Sequence, residues 1–162
     1  NTVIVVEHRK HYSVEFDMPD DGDENLLLPI GKSVVVHEGS DVTVVANSFQ
    51  VGQCVKVAKH LEKKKGVSVE VVDLRTLVPL DKETIIKSVK KTGRLLIVDE
   101  GYTSFGVAAE ICAAIQDKVF YDLDAPIQRL CAPDVSIPFS PALEKLVVPN
   151  ENTILAAVEK LL

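Results

Sequence analysis

RLLIVDEGYTSFGVAAEICAAIQD, residues 94–117, is the stretch whose reading decides the fold. Leu95–Val98 is an apolar run short enough to be a strand buried on both faces, as in a parallel sheet. A turn, DEGYTSFG, follows. The segment Val107–Ile115 comes next, and Glu110 is its only charged residue. A helix apolar around nearly its whole circumference does not suit the surface of a small monomer. It is expected to be covered on more than one side, by its own sheet and by another subunit. The pattern points to a part of an assembly rather than a self-contained enzyme.

At 162 residues and 46% hydrophobic, the chain can bury one ordinary core with a small appendage. A net charge of −6 and a pI of about 5.2 argue against nucleic acid or an anionic membrane surface as the main partner. No apolar run approaches the roughly 20 residues that span a bilayer. Residues 1–15 carry no signal-peptide pattern, because the apolar stretch Val3–Val6 is short and no cleavage-type segment follows. Cys54, Cys112 and Cys131 are far apart, odd in number and set among apolar residues, so they are expected to be reduced core residues of an intracellular protein. The chain opens on Asn and passes at once into strand-like TVIVVE, as if it began inside something larger.

Outward from residues 94–117, strands alternate with helices. Thr2–Glu7 predicts a buried strand, and the polar, acidic stretch His8–Gly31 a linker or wrapping arm. Ser33–His37 and Asp41–Ala46 flank Glu38-Gly39-Ser40 and predict a hairpin. Asn47-Ser48 starts a helix with Val51, Cys54, Val55, Ala58 and Leu61 on one face, closed by a lysine run and Gly66. Val67–Leu74 is a strand; Asp81 caps a helix carrying Ile85, Ile86 and Val89 that stops at Gly93. YDLDAP is a loop, IQRLC a short strand, Pro141–Leu146 a short helix, and Asn150 caps the last helix, Glu151–Leu162. The class is α/β, three layers, with a mostly parallel sheet joined by right-handed crossovers.

Little in this pattern carries chemistry. Asp20, Asp21, Asp23 and Glu24 lack the ligand spacing of a calcium loop and read as solvated linker. His8 and His11 have no third ligand motif to complete a metal site and read as linker histidines. Ser104-Phe105-Gly106 at a helix entry offers backbone N–H groups to an anion, against the plainer reading of a cap with a packing Phe. Glu110, a carboxylate in an apolar helix, must be partnered or expensive; Arg75 and Arg129 are candidate partners at a contact between subunits. There is no phosphate-binding glycine loop, nucleophile elbow, paired-cysteine motif or HExxH. The residues describe a fold and an interface, with no active site.

EVVDLRTLVPLDKETIIKSVKKTGRLLIVDEG (70–101), SFGVAAEI (104–111) and DAPIQRLCAPDVSIPFSPALEK (124–145) resemble, in this order, the C-terminal part of the beta subunit of thiamine-diphosphate-dependent 2-oxoacid dehydrogenases. IVVEHRKHY, LLLPIGK and EGSDVTVVANS upstream resemble the same subunit, so the likeness covers nearly the whole chain. DLRT-x-x-P-x-D is the most specific motif; the rest gains force from consistent order.

The resemblance implies a transketolase C-terminal domain with a five-stranded sheet over residues 32–162. It makes residues 8–31 a linker and residues 1–7 the last strand of a preceding pyrimidine-binding domain. It implies thiamine diphosphate and magnesium in the full enzyme and none bound to this fragment. The catalytic histidine, the cofactor-activating glutamate and the metal motif lie elsewhere, and the GDEN at 22–25 is not that motif. No catalytic, cofactor-binding or metal residue is carried over. The implied partners are an alpha subunit, a second beta subunit and a dihydrolipoyl acyltransferase core, in a bacterial cytoplasm, mitochondrial matrix or plastid. Tyr102, Phe105, Val107, Glu110, Ile111 and Arg129 are the expected interface residues.

The stretches VPLDKETIIKSVKKTGRLLI and APIQRLC lean toward the branched-chain enzyme, and the longer tail from Pro133 toward pyruvate and acetoin enzymes. Pyruvate is therefore the expected substrate of the whole enzyme. Two other readings stand beside this one. A free-standing ligand-binding α/β domain would use the strand ends near Asp99–Gly106 and Asp73–Thr76. The matching domain of a 2-oxoacid ferredoxin oxidoreductase fits the linker and tail less well.

Overall fold

The computed structural model describes residues 2–15 and 27–162. The acidic cluster Asp20–Glu24 and the GDEN segment lie outside the described residues. The described chain builds a five-stranded sheet from β1 (Val34–His37), β2 (Val42–Ala46), β3 (Val69–Asp73), β4 (Leu95–Tyr102) and β5 (Gln128–Ala132). Spatial order is β1-β3-β2-β4-β5; only β1 runs antiparallel to its neighbour.

The central strands are apolar at successive positions because helices cover both faces. Side chains alternate across the sheet. Val42, Val44, Val71, Leu96 and Val98 therefore pack beneath α1 (Ser48–Lys65) and α5 (Glu151–Leu161). Val45, Val72, Leu95 and Ile97 meet α2 (Lys82–Thr92) and α3 (Val107–Val119) on the opposite face. A short helix, α4 (Pro141–Val147), precedes α5 and has no buried residue.

The helix boundaries follow local chemistry. α1 ends where Gly66 takes φ 69° and its N–H turns back to Glu62 and Leu61 carbonyls, after three lysines that suit the negative end of the helix dipole. Asp81 caps α2 by accepting from Thr84 N at 3.3 Å, and Gly93 ends it at φ 69°. Asn150 and Thr153 form a reciprocal capping box on α5. Asn47 occupies the cap position of α1, but its side chain makes no capping hydrogen bond.

Several expectations are corrected. β1 and β2 do not form a hairpin: β3 lies between them, antiparallel to β1 and parallel to β2. The connection crosses the start of β3, where Ser40 N and Asp41 N both donate to Ser68 O at 3.1 and 2.8 Å. Gly39 permits this crossing, since a Cβ there would sit 2.2 Å from Glu70 N. Thr2–Glu7 joins none of these five strands and is exposed, with Val6 at 85%, so it is not buried within the described residues and any strand it forms pairs outside this sheet. β4 does not stop at Val98 but runs on to Tyr102, so residues read as turn belong to the strand. Tyr121 and Asp122, read as the start of a loop, belong to a 3₁₀ turn, Phe120–Asp122.

α3 also differs from its reading. Ala108, Ile111, Ile115 and Val119 are buried, while Glu110, Ala113, Gln116, Asp117 and Lys118 face solvent. Alanines dilute the polarity of the outer face without making it a hydrophobic stripe, so α3 needs no second cover on grounds of apolarity. Glu110 is exposed and its charge carries no burial cost.

One charge is costly. Glu70 on β3 is 1% exposed, and its carboxylate accepts from Ser88 Oγ and from Lys91 Nζ, both on α2. Lys91 also donates to Glu38 at 3.1 Å. Partial burial disfavours the Lys91 charge, but the hydrogen bonds it donates to Glu70 and Glu38 outweigh this and raise its pKa. The contribution of Lys91 is therefore fully present below the ordinary lysine range and is lost only as pH climbs through the raised value. Removing Lys91 leaves a buried carboxylate unpaired. Lys91→Ala is expected to cost about 2–3 kcal/mol in urea unfolding, the lysine being partly exposed, whereas Lys56→Ala, which breaks a surface pair with Glu151, changes it by under about 0.5 kcal/mol.

Candidate functional site

The carboxyl end of β4 carries the features that the core does not explain. Beyond Val98 the strand turns polar, as Asp99, Glu100, Gly101 and Tyr102, and then enters the bend Thr103–Gly106 that leads into α3. The bend is pinned to the segment after β5. Thr103 N and Thr103 Oγ1 both donate to Ala132 O, at 2.9 and 3.0 Å. Ser104 donates twice to Asp134, from N to Oδ1 at 3.1 Å and from Oγ to Oδ2 at 2.6 Å. Arg129 Nη1 donates to Thr103 O at 2.8 Å.

These bonds hold Phe105 in a conformation that costs energy. Its φ is 55°, in the left-handed region that disfavours a side chain, and the ring is fully exposed. Gly106 follows because a Cβ there would lie 2.3 Å from Tyr102 O. A phenylalanine that is both strained and unburied is not explained by the stability of the monomer. Beside it lies an open groove lined by Tyr102, Ser104, Phe105, Asp134, Val135 and Ser136.

Of the six residues expected at an interface, the structure joins Tyr102 and Phe105 in this groove and bonds Arg129 to the Thr103 carbonyl between Tyr102 and Ser104. Val107 is half-buried at the start of α3, and Glu110 is exposed one turn further on. Ile111 is corrected: it is 1% exposed within the chain's own core and unavailable to a partner. The sequence reading missed Val135, Ile137 and Phe139, all exposed on the loop after β5, with Phe139 fully so. Their signal was present in PDVSIPFSP, where Val135, Ile137 and Phe139 alternate as in a strand, but the prolines at 133, 138 and 141 keep the segment out of a sheet and leave the apolar side chains no core to face.

The other candidate chemistry takes plainer forms. His8 and His11 both lie against Phe49, with ring centroids 5.1 and 5.7 Å away, so the pair packs on an aromatic ring. Among the described residues no group of three or more His, Cys, Asp or Glu side chains converges to hold a metal ion. Burial pushes the Cys54 thiol up to about 12 and, with the Asp99 charge nearby, the Cys131 thiol to about 11; Cys54 alone lies in the core, Cys112 and Cys131 are half-buried against it, and all three thiols are free. Asp73, at the end of β3, has its pKa raised by burial against the opposing Arg75 N–H bond, and no residue of 73–76 lines the groove at β4.

Asp134 is held below the ordinary carboxylate range by the two bonds from Ser104, side chain first. A depressed folded-state pKa means the clasp is intact above the usual Asp range and is lost as pH falls through the lowered value. The Asp134 carboxyl is expected to titrate by NMR below an exposed Asp control, and to move up toward that control in Ser104→Ala. Phe105→Gly, which relieves the left-handed backbone and loses no burial, is expected to leave stability unchanged or raise it by up to about 1 kcal/mol in thermal unfolding. A loss of more than about 1 kcal/mol would give the ring a packing role in the monomer.

Comparison with known proteins bears on this surface. Residues 31–154 match the family model described as "Transketolase, C-terminal domain". The chain is 41% identical over 161 residues to the mitochondrial pyruvate dehydrogenase E1 component subunit beta of Dictyostelium discoideum, covering 99% of this chain and 45% of that protein. It is 42% identical over 160 residues to the same subunit of Rickettsia felis, covering 99% of this chain and 48% of that one. Among solved structures, a split-gene transketolase described as an inactive beta4 tetramer superposes with a TM-score of 0.68 at 26% identity, over 88% of this chain and 45% of that one. The chain thus spans about half the length of the relatives it matches.

Proposed function

We propose, because this chain belongs to the transketolase C-terminal domain family, that it is the C-terminal domain of the beta subunit of a pyruvate dehydrogenase, working in subunit assembly. Residues 32–162 form that domain, residues 8–31 the linker, and residues 1–7 the last strand of a preceding pyrimidine-binding domain. The partners are an alpha subunit, a second beta subunit and the acyltransferase core of the complex, to which the domain docks. The carrying observation is the likeness to pyruvate dehydrogenase beta subunits across nearly the whole chain. The strained, exposed Phe105 supports a contact role, and so does the beta4 assembly named for the transketolase relative. Branched-chain and acetoin dehydrogenases remain the alternatives for substrate.

The full enzyme would decarboxylate pyruvate and acylate a lipoyl group with thiamine diphosphate and magnesium. The described residues do not fit the cofactor's charged end. They present no convergent set of carboxylates for the metal, and the groove at β4 carries Asp134 rather than a cation for the diphosphate. The part we assign to these residues is to hold neighbours in place. Mitochondrial and bacterial relatives support a matrix or bacterial-cytoplasm location, and the plastid is the alternative. No helix among the described residues is long and apolar enough to cross a membrane.

On this reading Tyr102, Phe105, Val107, Glu110 and Arg129 meet a second copy. Sedimentation velocity is expected to show concentration-dependent self-association. Phe105→Asp should weaken it by tenfold or more, since interface aromatics carry much of such energy, and Glu110→Ala by a smaller factor. A monomer at every concentration, with a saturable metabolite site, would favour a free-standing ligand-binding domain instead.

A further inference from the structure

The N-terminal segment touches the domain at one node. The 3₁₀ turn Arg9–Ser13 has no buried residue, and Thr2–Glu7 before it is exposed. His8 between them is half-buried. Its Nδ1 accepts from Lys10 N at 3.2 Å, so the ring hydrogen sits on Nε2, which lies 3.1 Å from Glu100 Oε2 and donates to it. The ring stacks on Phe49 with 18° between planes. Lys10 Nζ stands 5.1 Å from the centroid of the same Phe49 ring and 3.5 Å from Glu144 Oε1.

Glu100, the receiving group, is itself held. Gln50 Nε2 donates to Glu100 Oε1 at 3.1 Å and to Pro149 O at 3.2 Å, and Gln50 is 1% exposed. Gln50 Oε1 is buried without a partner. Turning the amide over would set that oxygen against a carboxylate and a carbonyl, so the orientation is locked. The node thus joins four parts of the chain: the N-terminal segment, the first turn of α1, the end of β4 and the connection between α4 and α5.

We infer that residues 8–13 are a releasable latch, with His8 seated between Glu100 and Phe49 to fix the point at which Thr2–Glu7 leaves the domain. Its purpose rests on the reading of residues 1–7 as a strand of a preceding domain; its geometry does not. The latch is releasable because the turn buries nothing of its own and is held by a few polar and aromatic contacts at the surface. It is specific because Glu100 is fixed from below by Gln50 before His8 arrives. Glu100 lies two positions before Tyr102 on β4, so the seat of the latch and the candidate contact surface share one strand end.

Trypsin tests this on the chain itself, since cleavage after Arg9 and Lys10 requires the turn to lift off. His8→Ala and Glu100→Ala are each expected to speed that cleavage about tenfold, from the loss of one charge-assisted bond and, for His8, one stacked ring. The double variant should cut no more than about twofold faster than the faster single, because both remove the same seat. Lys56→Ala should cut at the parent rate. Circular dichroism melting confirms that each variant is folded, and His8, standing outside the core, can be removed without unfolding the domain. Cleavage of His8→Ala and Glu100→Ala at the parent rate would overturn the latch. The assay needs no partner or cofactor, so a failure of the self-association experiment leaves its result standing.

Discussion

The pairing of β4 between β2 and β5 is the constraint on which the molecule depends. Leu95–Val98 is buried on both faces, and that is possible only with α1 and α5 above the sheet and α2 and α3 below it. Once four residues of β4 are committed in this way, the chain beyond Val98 leaves the core at a fixed place and direction. Asp99, Glu100 and Tyr102 follow, where the pairing with β5 shifts register between Val98 and Tyr102. Glu100 meets Gln50 and His8, while Tyr102 opens onto the groove beside Phe105. The candidate contact surface and the N-terminal node are both consequences of where one buried strand ends.

The two ends of the sheet serve different ends. Near the amino ends of the parallel strands lies the buried network of Glu70, Ser88 and Lys91, tying β3 to α2 and to the connection that crosses over β3. It is satisfied internally, and its charges balance one another. The carboxyl ends are less settled: Phe105 is strained and exposed, Gln50 Oε1 and Asp99 Oδ2 are buried without partners, and apolar residues stand in solvent on the loop after β5. Natural sequences break local rules where something other than the fold of the single chain is being served. In this chain the violations gather at one end.

Much of the architecture is legible in the sequence. Capping residues and glycines placed α1, α2 and α5 to within a residue or two, because Gly66, Gly93, Asp81 and Asn150 act through bonds to near neighbours in sequence. The hairpin was misread because Glu38-Gly39-Ser40 is good turn chemistry, and the insertion of β3 is a decision made by residues thirty positions away. α3 was misread for a related reason. Alanines count as apolar in a sequence, yet on a helix they leave so little surface that a face bearing Ala113, Gln116 and Asp117 sits comfortably in water.

What the sequence determined by itself was everything carried by short-range bonding and side-chain period: the alternation of strands and helices, their ends, the α/β class, and a family likeness spread evenly along the chain. The tertiary structure alone decided which strand lies beside which, that Ile111 belongs to the core while Phe105 stands clear of it, and that His8 reaches Glu100. Those outcomes depend on the summed packing of residues far apart in the chain, where burying apolar surface on both faces of β4 outweighs any local preference, and no window of sequence contains that sum.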